Sequence, residues 1–115
     1  MKLFHGTAFA EEIQRDGFSV SPAGGGGRGL YGVWLTADLR VARRWAYVSQ
    51  MRRLHSDNPT ERNEHAKRTV ITVEVADTAL HEVIPSTLFD DGPDEVVVFD
   101  PHDIIITQKE EVAND

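Results

Sequence analysis

The fold is decided near the N-terminus by the pentapeptide LFHGT, residues 3–7. Strand-forming residues lead up to His5 and Thr7 is a good helix N-cap, so a strand is predicted to pass almost directly into a helix. Gly17 is predicted to end that helix. The junction has two interpretations. His5 is a half-buried residue beside a turn, or it contacts a ligand that Gly6, lacking a side chain, admits to the backbone.

Outward from this junction, the sequence predicts a strand-rich α+β domain. Four further runs rich in β-branched or aromatic residues are predicted strands: Leu30–Leu35, Thr69–Val75, Glu95–Phe99 and Ile104–Thr107. A second helix is predicted after Thr36 as its N-cap, with an apolar stripe that includes Leu39, Ala42 and Ala46. Residues 49–68 are polar and are predicted to be a frayed extension of this helix or a mobile insertion. The sequence has no repeated parallel strand–helix–strand units, which argues against a doubly wound nucleotide-binding fold.

Length and composition indicate one ordinary globular domain. The chain has 115 residues, of which 40% are hydrophobic and 27% charged. The domain is predicted to span residues 1–108, with 109–115 as a frayed tail. A chain without cysteine forms no disulfide, thiolate zinc site or cysteine nucleophile. Since no apolar run approaches the ~20 residues of a membrane helix and no signal peptide is evident, we expect no membrane partner and a cytoplasmic location, in the producing or a target cell.

Charge is distributed unevenly along the chain, whose net charge is −7. Residues 40–68 carry eight basic side chains against three acidic ones, a local charge of +5. Residues 74–115 carry twelve acidic side chains against one lysine, a local charge of −11. Both segments are solvated faces, or the basic one is a small binding surface for an anionic ligand. The overall acidity argues against a protein that grips duplex phosphates over a wide surface.

The other candidate residues also have two interpretations each. Trp34 and Trp45 are core residues, or they are two aromatic faces that stack on a planar ring. The glycines at 24–27 form a flexible loop or a lid, and they lack the Lys-Ser or Lys-Thr ending of a phosphate-binding loop. Glu95 opens a strand, where it is an exposed end or a carboxylate held rigidly for catalysis. The four histidines other than that of the first motif have no metal-ligand spacing, so no metal site is predicted.

Taken in order, these motifs resemble the ADP-ribosyltransferase fold, in the diphtheria-toxin and poly(ADP-ribose)-polymerase branch with its His–Tyr–Glu triad. The first family motif is a strand ending in His-Gly-Thr or His-Gly-Ser, which residues 3–7 match. The second is a Gly-x-Tyr-aromatic strand and a helix with a second aromatic residue; here residues 32–35 (GVWL) and Trp45 occupy these positions. The third is a strand opened by glutamate, which residues 95–100 (EVVVFD) match. The resemblance spans residue 3 to about residue 106.

The resemblance implies two small, mostly antiparallel sheets flanked by short helices, in a small bacterial or phage protein such as a toxin or phage effector. It also implies a mono-ADP-ribosyltransferase, which cleaves NAD between nicotinamide and ribose and needs no metal. The acceptor of the ADP-ribose is open: a protein is favoured, and a nucleic acid or a small molecule is the alternative. By this resemblance, Glu95 would hold the ribose 2′-hydroxyl and stabilise the cation-like transition state.

The NAD-binding residues that the resemblance implies are His5, Gly6, Thr7, Arg28, Trp34 and Trp45. His5 would hydrogen-bond the adenosine ribose, with Thr7 assisting nearby. The Gly6 backbone would hold the nicotinamide carboxamide, so that a side chain there would crowd the ligand. Arg28, just after the glycine run, would meet the pyrophosphate.

The aromatic positions depart from the family pattern, because tryptophan stands where two tyrosines are expected. Trp34 and Trp45 keep a face for stacking on nicotinamide but lose the phenol hydroxyl. Tyr31 and Tyr47 lie close in sequence and would supply a ring in a shifted alignment. The helix serine that helps to hold the carboxamide in the family falls near Ala42, so that contact is absent here or comes from elsewhere.

Two other functions stay open at this point. A catalytically degenerate NAD-binding or protein-interaction module would keep the fold and lose turnover. An NAD-dependent RNA 2′-phosphotransferase shares the fold and a His-Gly-Thr-like motif. That chemistry relies on arginines and a further histidine, so Glu95 argues against it.

Overall fold

A computed structural model describes residues 1–19, 32–82 and 95–112, with the backbone alone at residues 81, 82 and 95. The strands are β1 (Lys2–Thr7), β2 (Val33–Thr36), β3 (Thr69–Val75), β4 (His81–Glu82), β5 (Glu95–Val98) and β6 (Ile104–Glu111). The helices are α1 (Ala10–Asp16) and α2 (Leu39–Leu54), and short 3₁₀ turns cover Asp77–Ala79 and Pro101–Asp103. These strands form one sheet in the order β4-β5-β2-β1-β3-β6, with antiparallel neighbours throughout. The predicted α+β class is confirmed.

One face of the sheet holds the main apolar core. Alternate residues of the central strands point to this face, as the two-residue period of a strand requires. Its fully buried members are Leu3, Leu35, Ile71, Val73 and Val98. Helix α1 covers the face through Ala10 and Ile13, and Phe18 follows from the chain beyond the helix. The β-branched residues that dominate β3 and β5 explain why these segments form strands.

Helix α2 covers the opposite face of the sheet. Its small residues Ala42 and Ala46 are fully buried, which lets the helix approach β1 closely. The helix begins after Asp38, whose carboxylate accepts a hydrogen bond of 2.8 Å from the backbone N–H of Arg40. This carboxylate also compensates the positive end of the helix dipole.

Both helices begin two residues later than predicted, so the prediction of Thr7 and Thr36 as N-caps is wrong. Phe9 precedes α1 and Asp38 precedes α2. Each threonine instead ends a strand and turns the chain, because its hydroxyl oxygen accepts from the N–H two residues on, at 3.0 and 3.1 Å. The predicted end of α1 at Gly17 is confirmed. Gly17 has φ of +82°, which glycine adopts without strain.

Strand β6 is longer than predicted. Its last residues, Lys109 to Glu111, pair with Ile71, Val70 and Thr69 of β3. The frayed tail predicted for residues 109–115 is therefore wrong at 109–111, and the domain extends past residue 108; residues 113–115 lie outside the described ranges. The side chains of this segment are exposed, so its sequence is as polar as a tail, while backbone hydrogen bonds to β3 hold it in place.

Arg53, at the end of α2, is a buried cation that joins several segments. Its side chain is 7% exposed. Its Nη1 donates to the carbonyl oxygen of Ala8 at 2.8 Å, and its Nε donates to that of Glu61 at 2.9 Å. Nη1 also lies 3.1 Å from a carboxylate oxygen of Glu12, and the guanidinium covers the Phe9 ring. Residues 49–68 were predicted as a frayed extension or a mobile insertion. Residues 49–54 belong to α2, and Arg53 anchors the chain after the helix, at Glu61, to the end of β1.

Arg53→Met is expected to lower the free energy of unfolding by about 1–3 kcal/mol, because it leaves a buried carbonyl of Ala8 without its donor. Arg52→Met is the matched control. Arg52 is exposed on the same helix, and its replacement should change the free energy by less than about 0.5 kcal/mol. Urea unfolding followed by tryptophan fluorescence measures both variants. Equal stability of the two would contradict the assignment of Arg53 as an anchor.

Candidate functional site

The predicted site lies where β1 meets β2. Between these two strands only Phe4 and Thr36 are paired, whereas β1 is paired with β3 along its whole length. Next to that pair, the His5 ring connects β1 to β2, because its Nδ1 lies 2.8 Å from the carbonyl oxygen of Trp34. The two small sheets implied by the family resemblance are therefore a single sheet among the described residues, in which one pair of residues joins the two halves.

The bond to Trp34 holds His5 in one tautomer. A carbonyl oxygen only accepts hydrogen bonds, so Nδ1 is the donor and Nε2 of the neutral ring carries a lone pair. The half-buried ring packs edge-on against Phe18, with ring centroids 5.2 Å apart. Burial lowers the pKa of His5 below its ordinary value, and the hydrogen bond to the Trp34 carbonyl opposes this effect in part. His5 is thus a neutral ring whose Nε2 can accept a hydrogen bond from a hydroxyl group.

The lowered pKa of His5 predicts a stability loss in acid. The unfolded chain binds a proton at this histidine near pH 6.5, above the pKa in the folded state. The free energy of unfolding therefore falls as the pH drops below the unfolded value and toward the folded one. His5→Asn removes this titration, so the stability advantage of the wild type over His5→Asn should shrink as the pH falls. Urea unfolding from about pH 8 to about pH 5 measures it, and a pH-independent difference would contradict the expectation.

Gly6 is required by the helix behind it. A β-carbon at this position would overlap the carbonyl oxygen of Ala42 and lie 2.8 Å from the backbone nitrogen of Ala46. Helix α2 thus packs directly on the backbone of β1. We expected a side chain at Gly6 to crowd a nicotinamide. The packing corrects that expectation, because such a side chain would displace α2 first.

The two tryptophans differ in exposure. Trp34 is 4% exposed, and its buried indole Nε1 has no hydrogen-bond acceptor among the residues that the structure describes. Stacking of a ligand on Trp34 therefore requires the groups that cover this ring to move. Trp45 is half-buried. It lies on α2 directly before Ala46, the residue whose backbone nitrogen packs near Gly6. Trp45 is the more accessible of the two predicted stacking residues.

Thr7 and Glu95 occupy strand ends near this junction. Thr7 is 4% exposed, and its hydroxyl oxygen is already used in the turn to Phe9. Glu95 opens β5 as predicted, and its backbone is in register with Thr36, the residue of β2 that pairs with Phe4. The segments that carry the three sequence motifs therefore lie on β1, β2 and β5, which are adjacent strands.

Some predicted site residues lie outside the described ranges. These are Arg28, the glycines at 24–27 and Tyr31. Tyr47, the other tyrosine considered as a stacking ring, lies on α2 with the guanidinium of Arg68 4.6 Å from its ring centroid.

Sequence analysis missed two residues that shape the junction. Phe18 supports the His5 ring; the available signal was an apolar residue directly after the helix-ending Gly17, a position that often packs back on the helix. Gly32 lets β2 approach β5, since a β-carbon there would overlap the Val97 side chain and lie 2.9 Å from the carbonyl oxygen of Val98. Its signal was its position as the first residue of the second motif.

A separate cleft of about 290 Å³ lies between the start of α1, the chain before β3 and the end of β6. His5, Gly6 and Thr7 do not line it. Most of its charged side chains have partners within the protein: Arg53 with Glu12, Lys67 with Glu111, and Lys109 with Gln14. We therefore keep the β1–β2 junction as the candidate site.

Comparison with protein-family models, with curated proteins and with solved structures finds no match. Within the described ranges, no group of three or more His, Asp or Glu side chains is arranged to hold a metal ion. The helices in those ranges are too short or too polar to cross a membrane.

Proposed function

We propose that this protein is a mono-ADP-ribosyltransferase, which cleaves NAD at the nicotinamide–ribose bond and transfers ADP-ribose to an acceptor. The observation that carries the proposal is that the three motif segments, far apart in sequence, lie on the adjacent strands β5, β2 and β1. The ring of His5 bridges two of these strands. A ligand bound along this junction would contact all three motifs.

Cleavage of NAD is favoured by a carboxylate beside the ribose. Cleavage breaks the bond between C1′ and the nicotinamide nitrogen, nicotinamide leaves with the electron pair, and positive charge builds on the ribose. A carboxylate that accepts from the 2′-hydroxyl stabilises this charge more than it stabilises the ground state. We assign this role to Glu95. As the acceptor nucleophile attacks C1′, Glu95 also takes its proton.

His5 and Gly6 supply the proposed contacts to the rest of NAD. The Nδ1 proton of His5 is committed to the Trp34 carbonyl, so Nε2 accepts from a hydroxyl of the adenosine ribose. The peptide groups of Gly6 hold the carboxamide, on a backbone that α2 keeps from moving. Thr7 stays close to the adenosine end and Trp45 stacks on nicotinamide.

Two roles in this proposal depend on parts of the chain beyond the described contacts. Trp34 offers its indole N–H, which has no acceptor among the described residues, and a ring face only when the groups that cover it move aside. Arg28 keeps its assignment to the pyrophosphate as a prediction from the resemblance.

A non-catalytic NAD-binding module of the same fold is the second candidate. The burial of Trp34 favours it, because a covered ring limits how a nicotinamide can be stacked for cleavage. Such a module would bind NAD at His5 and Gly6 and release no product.

Calorimetry with NAD and an assay of label transfer separate the two candidates. A transferase binds NAD saturably and moves label from adenosine-labelled NAD to a component of a cell lysate. Saturable binding without transfer or nicotinamide release would support the non-catalytic module. Absence of binding together with absence of release would contradict both.

A further inference from the structure

Helix α2 presents a basic side to solvent, opposite the side that packs on β1. Its 16 residues include five arginines and no aspartate or glutamate. Arg53 is the buried one, and the other four are exposed. Residues at helical spacing form one continuous stripe on this side. This stripe, the α2 basic face, comprises Arg43, Arg44, Tyr47, Val48, Met51 and Arg52.

A flat ring lies between the charges of the α2 basic face. Tyr47 is 47% exposed, and the Arg68 guanidinium lies 4.6 Å from its ring centroid. Arg68 is itself held in place, since its Nε donates to Gln50, and Gln50 donates to the Ala66 carbonyl at 3.0 Å. The ring and the guanidinium therefore form a fixed stacking surface. Arg52 follows Arg43 by nine positions along the helix, a distance of about 13 Å.

The negative charge of the protein resides mainly in other segments. Twelve of the 19 acidic residues lie in 74–115, outside α2. Asp38, at the N-terminus of the helix, is held by Arg40. Glu61, in the chain after the helix, is hydrogen-bonded by Ser56. An anionic ligand can therefore meet a locally positive surface in spite of the net charge of −7.

We propose that the α2 basic face binds single-stranded nucleic acid. Arg43, Arg44 and Arg52 contact phosphates along the strand, and a base stacks on the surface formed by Tyr47 and Arg68. Positive side chains along a strand path, with an aromatic ring between them, are the combination that binds single strands without sequence preference. Guanidinium planes also stack on unpaired bases.

Other polyanions fit the α2 basic face less well. A duplex would need a wider basic surface than one stripe of about 13 Å supplies. A membrane-surface helix would turn its apolar side outward, whereas that side of α2 is buried on β1. An acidic peptide carries no planar bases for the Tyr47–Arg68 surface. The binding itself does not depend on the proposed function. The assignment of the bound strand as the acceptor of ADP-ribose does rest on the proposed function. The strand would lie one helix diameter, ~10 Å, from Gly6.

Fluorescence anisotropy with labelled oligo(dT) and oligo(U), without NAD, tests the binding, and the two probes distinguish DNA from RNA. We expect saturable binding that weakens with salt, by a logarithmic slope of about −0.7 per phosphate contact. Arg43→Glu combined with Arg52→Glu should weaken binding about tenfold or more and flatten the salt slope. The control combines Arg15→Glu with Arg62→Glu, which makes the same change of charge at exposed sites elsewhere, and should change affinity less than about threefold.

The aromatic contact has its own test. Tyr47→Ala should weaken binding by roughly fivefold to a hundredfold, the range for losing one stacked base. The separate variant Tyr47→Phe keeps the ring and should bind with the affinity of the wild type. Circular dichroism confirms that each variant folds. The proposal is overturned by absence of saturable binding, by equal losses in the two double variants, or by competition from polyglutamate or phosphatidylserine vesicles as strong as from unlabelled oligonucleotide. A protein that binds these probes but releases no nicotinamide contradicts the proposed function alone.

Discussion

Gly6→Ala is expected to cost the protein about 4 kcal/mol or more of unfolding free energy. The new β-carbon would overlap the carbonyl oxygen of Ala42. Because this oxygen belongs to the helix backbone, no change of side-chain rotamer relieves the overlap, and α2 must shift away from β1. A domain of this size has a total stability of only about 5–15 kcal/mol, so the variant should be partly or wholly unfolded.

Urea unfolding monitored by tryptophan fluorescence measures this loss. Adding Ala42→Gly to Gly6→Ala serves as a control, since it removes a side chain but leaves the offending carbonyl. We expect no rescue from it. A loss below about 1 kcal/mol for Gly6→Ala would mean that α2 does not approach β1 as closely as described.

Glu95→Gln is expected to lower the rate of NAD cleavage about 100-fold or more, equivalent to about 2.7 kcal/mol of transition-state stabilisation. The amide has almost the shape of the carboxylate but no negative charge, so it cannot offset the charge that builds on the ribose. Ground-state contacts change little, and NAD binding should stay within a few-fold of the wild type. The variant should also keep its fold, because Glu95 is at the end of a strand whose Val96 to Val98 are buried.

Asp103→Asn is the matched control for Glu95→Gln. Asp103 is an exposed carboxylate in the turn between β5 and β6, away from the β1–β2 junction. The same loss of one negative charge there should leave turnover within about twofold of the wild type, because exposed charges at a distance are screened. A similar fall in both variants would assign the effect to net charge and not to the site.

The strands were predictable where local chemistry alone determines them. Residues 69–75 alternate and are β-branched, and the predicted strand there has the observed bounds. The beginning of β5 at Glu95 was equally evident, because strong strand formers follow an acidic residue. Gly17 ended its helix as predicted, since only glycine adopts a positive φ there without strain.

The close packing at the site was not predictable from local sequence. The missing side chain of Gly6 suggested space for a ligand, but the place of that side chain is filled by Ala42 and Ala46 from a helix more than 30 residues away. The sequence alone leaves Trp34 as either a core residue or a site residue, and only its exposure of 4% in the folded chain shows that its ring is covered. Both facts depend on long-range contacts, about which hydrophobic periodicity carries no information.

The predicted ends of helices and strands were wrong for a different reason. A polar edge strand such as Lys109–Glu111 has its side chains in water, so its composition is that of a disordered tail, while its stability comes from backbone pairing with β3. Arg53 shows the same limit for a charge. Its sequence neighbours Arg52 and Leu54 do not reveal that its guanidinium is buried against carbonyl groups from distant segments.

We propose that this chain cleaves NAD through Glu95. The test is the release of labelled nicotinamide from NAD by the purified wild-type protein and Glu95→Gln, side by side and with equal amounts of folded protein. We expect steady release by the wild type and a rate lower by about 100-fold or more for the variant. Equal release by both proteins would remove Glu95 from the mechanism, and no release by a wild type that is folded would contradict the claim that this protein is an ADP-ribosyltransferase.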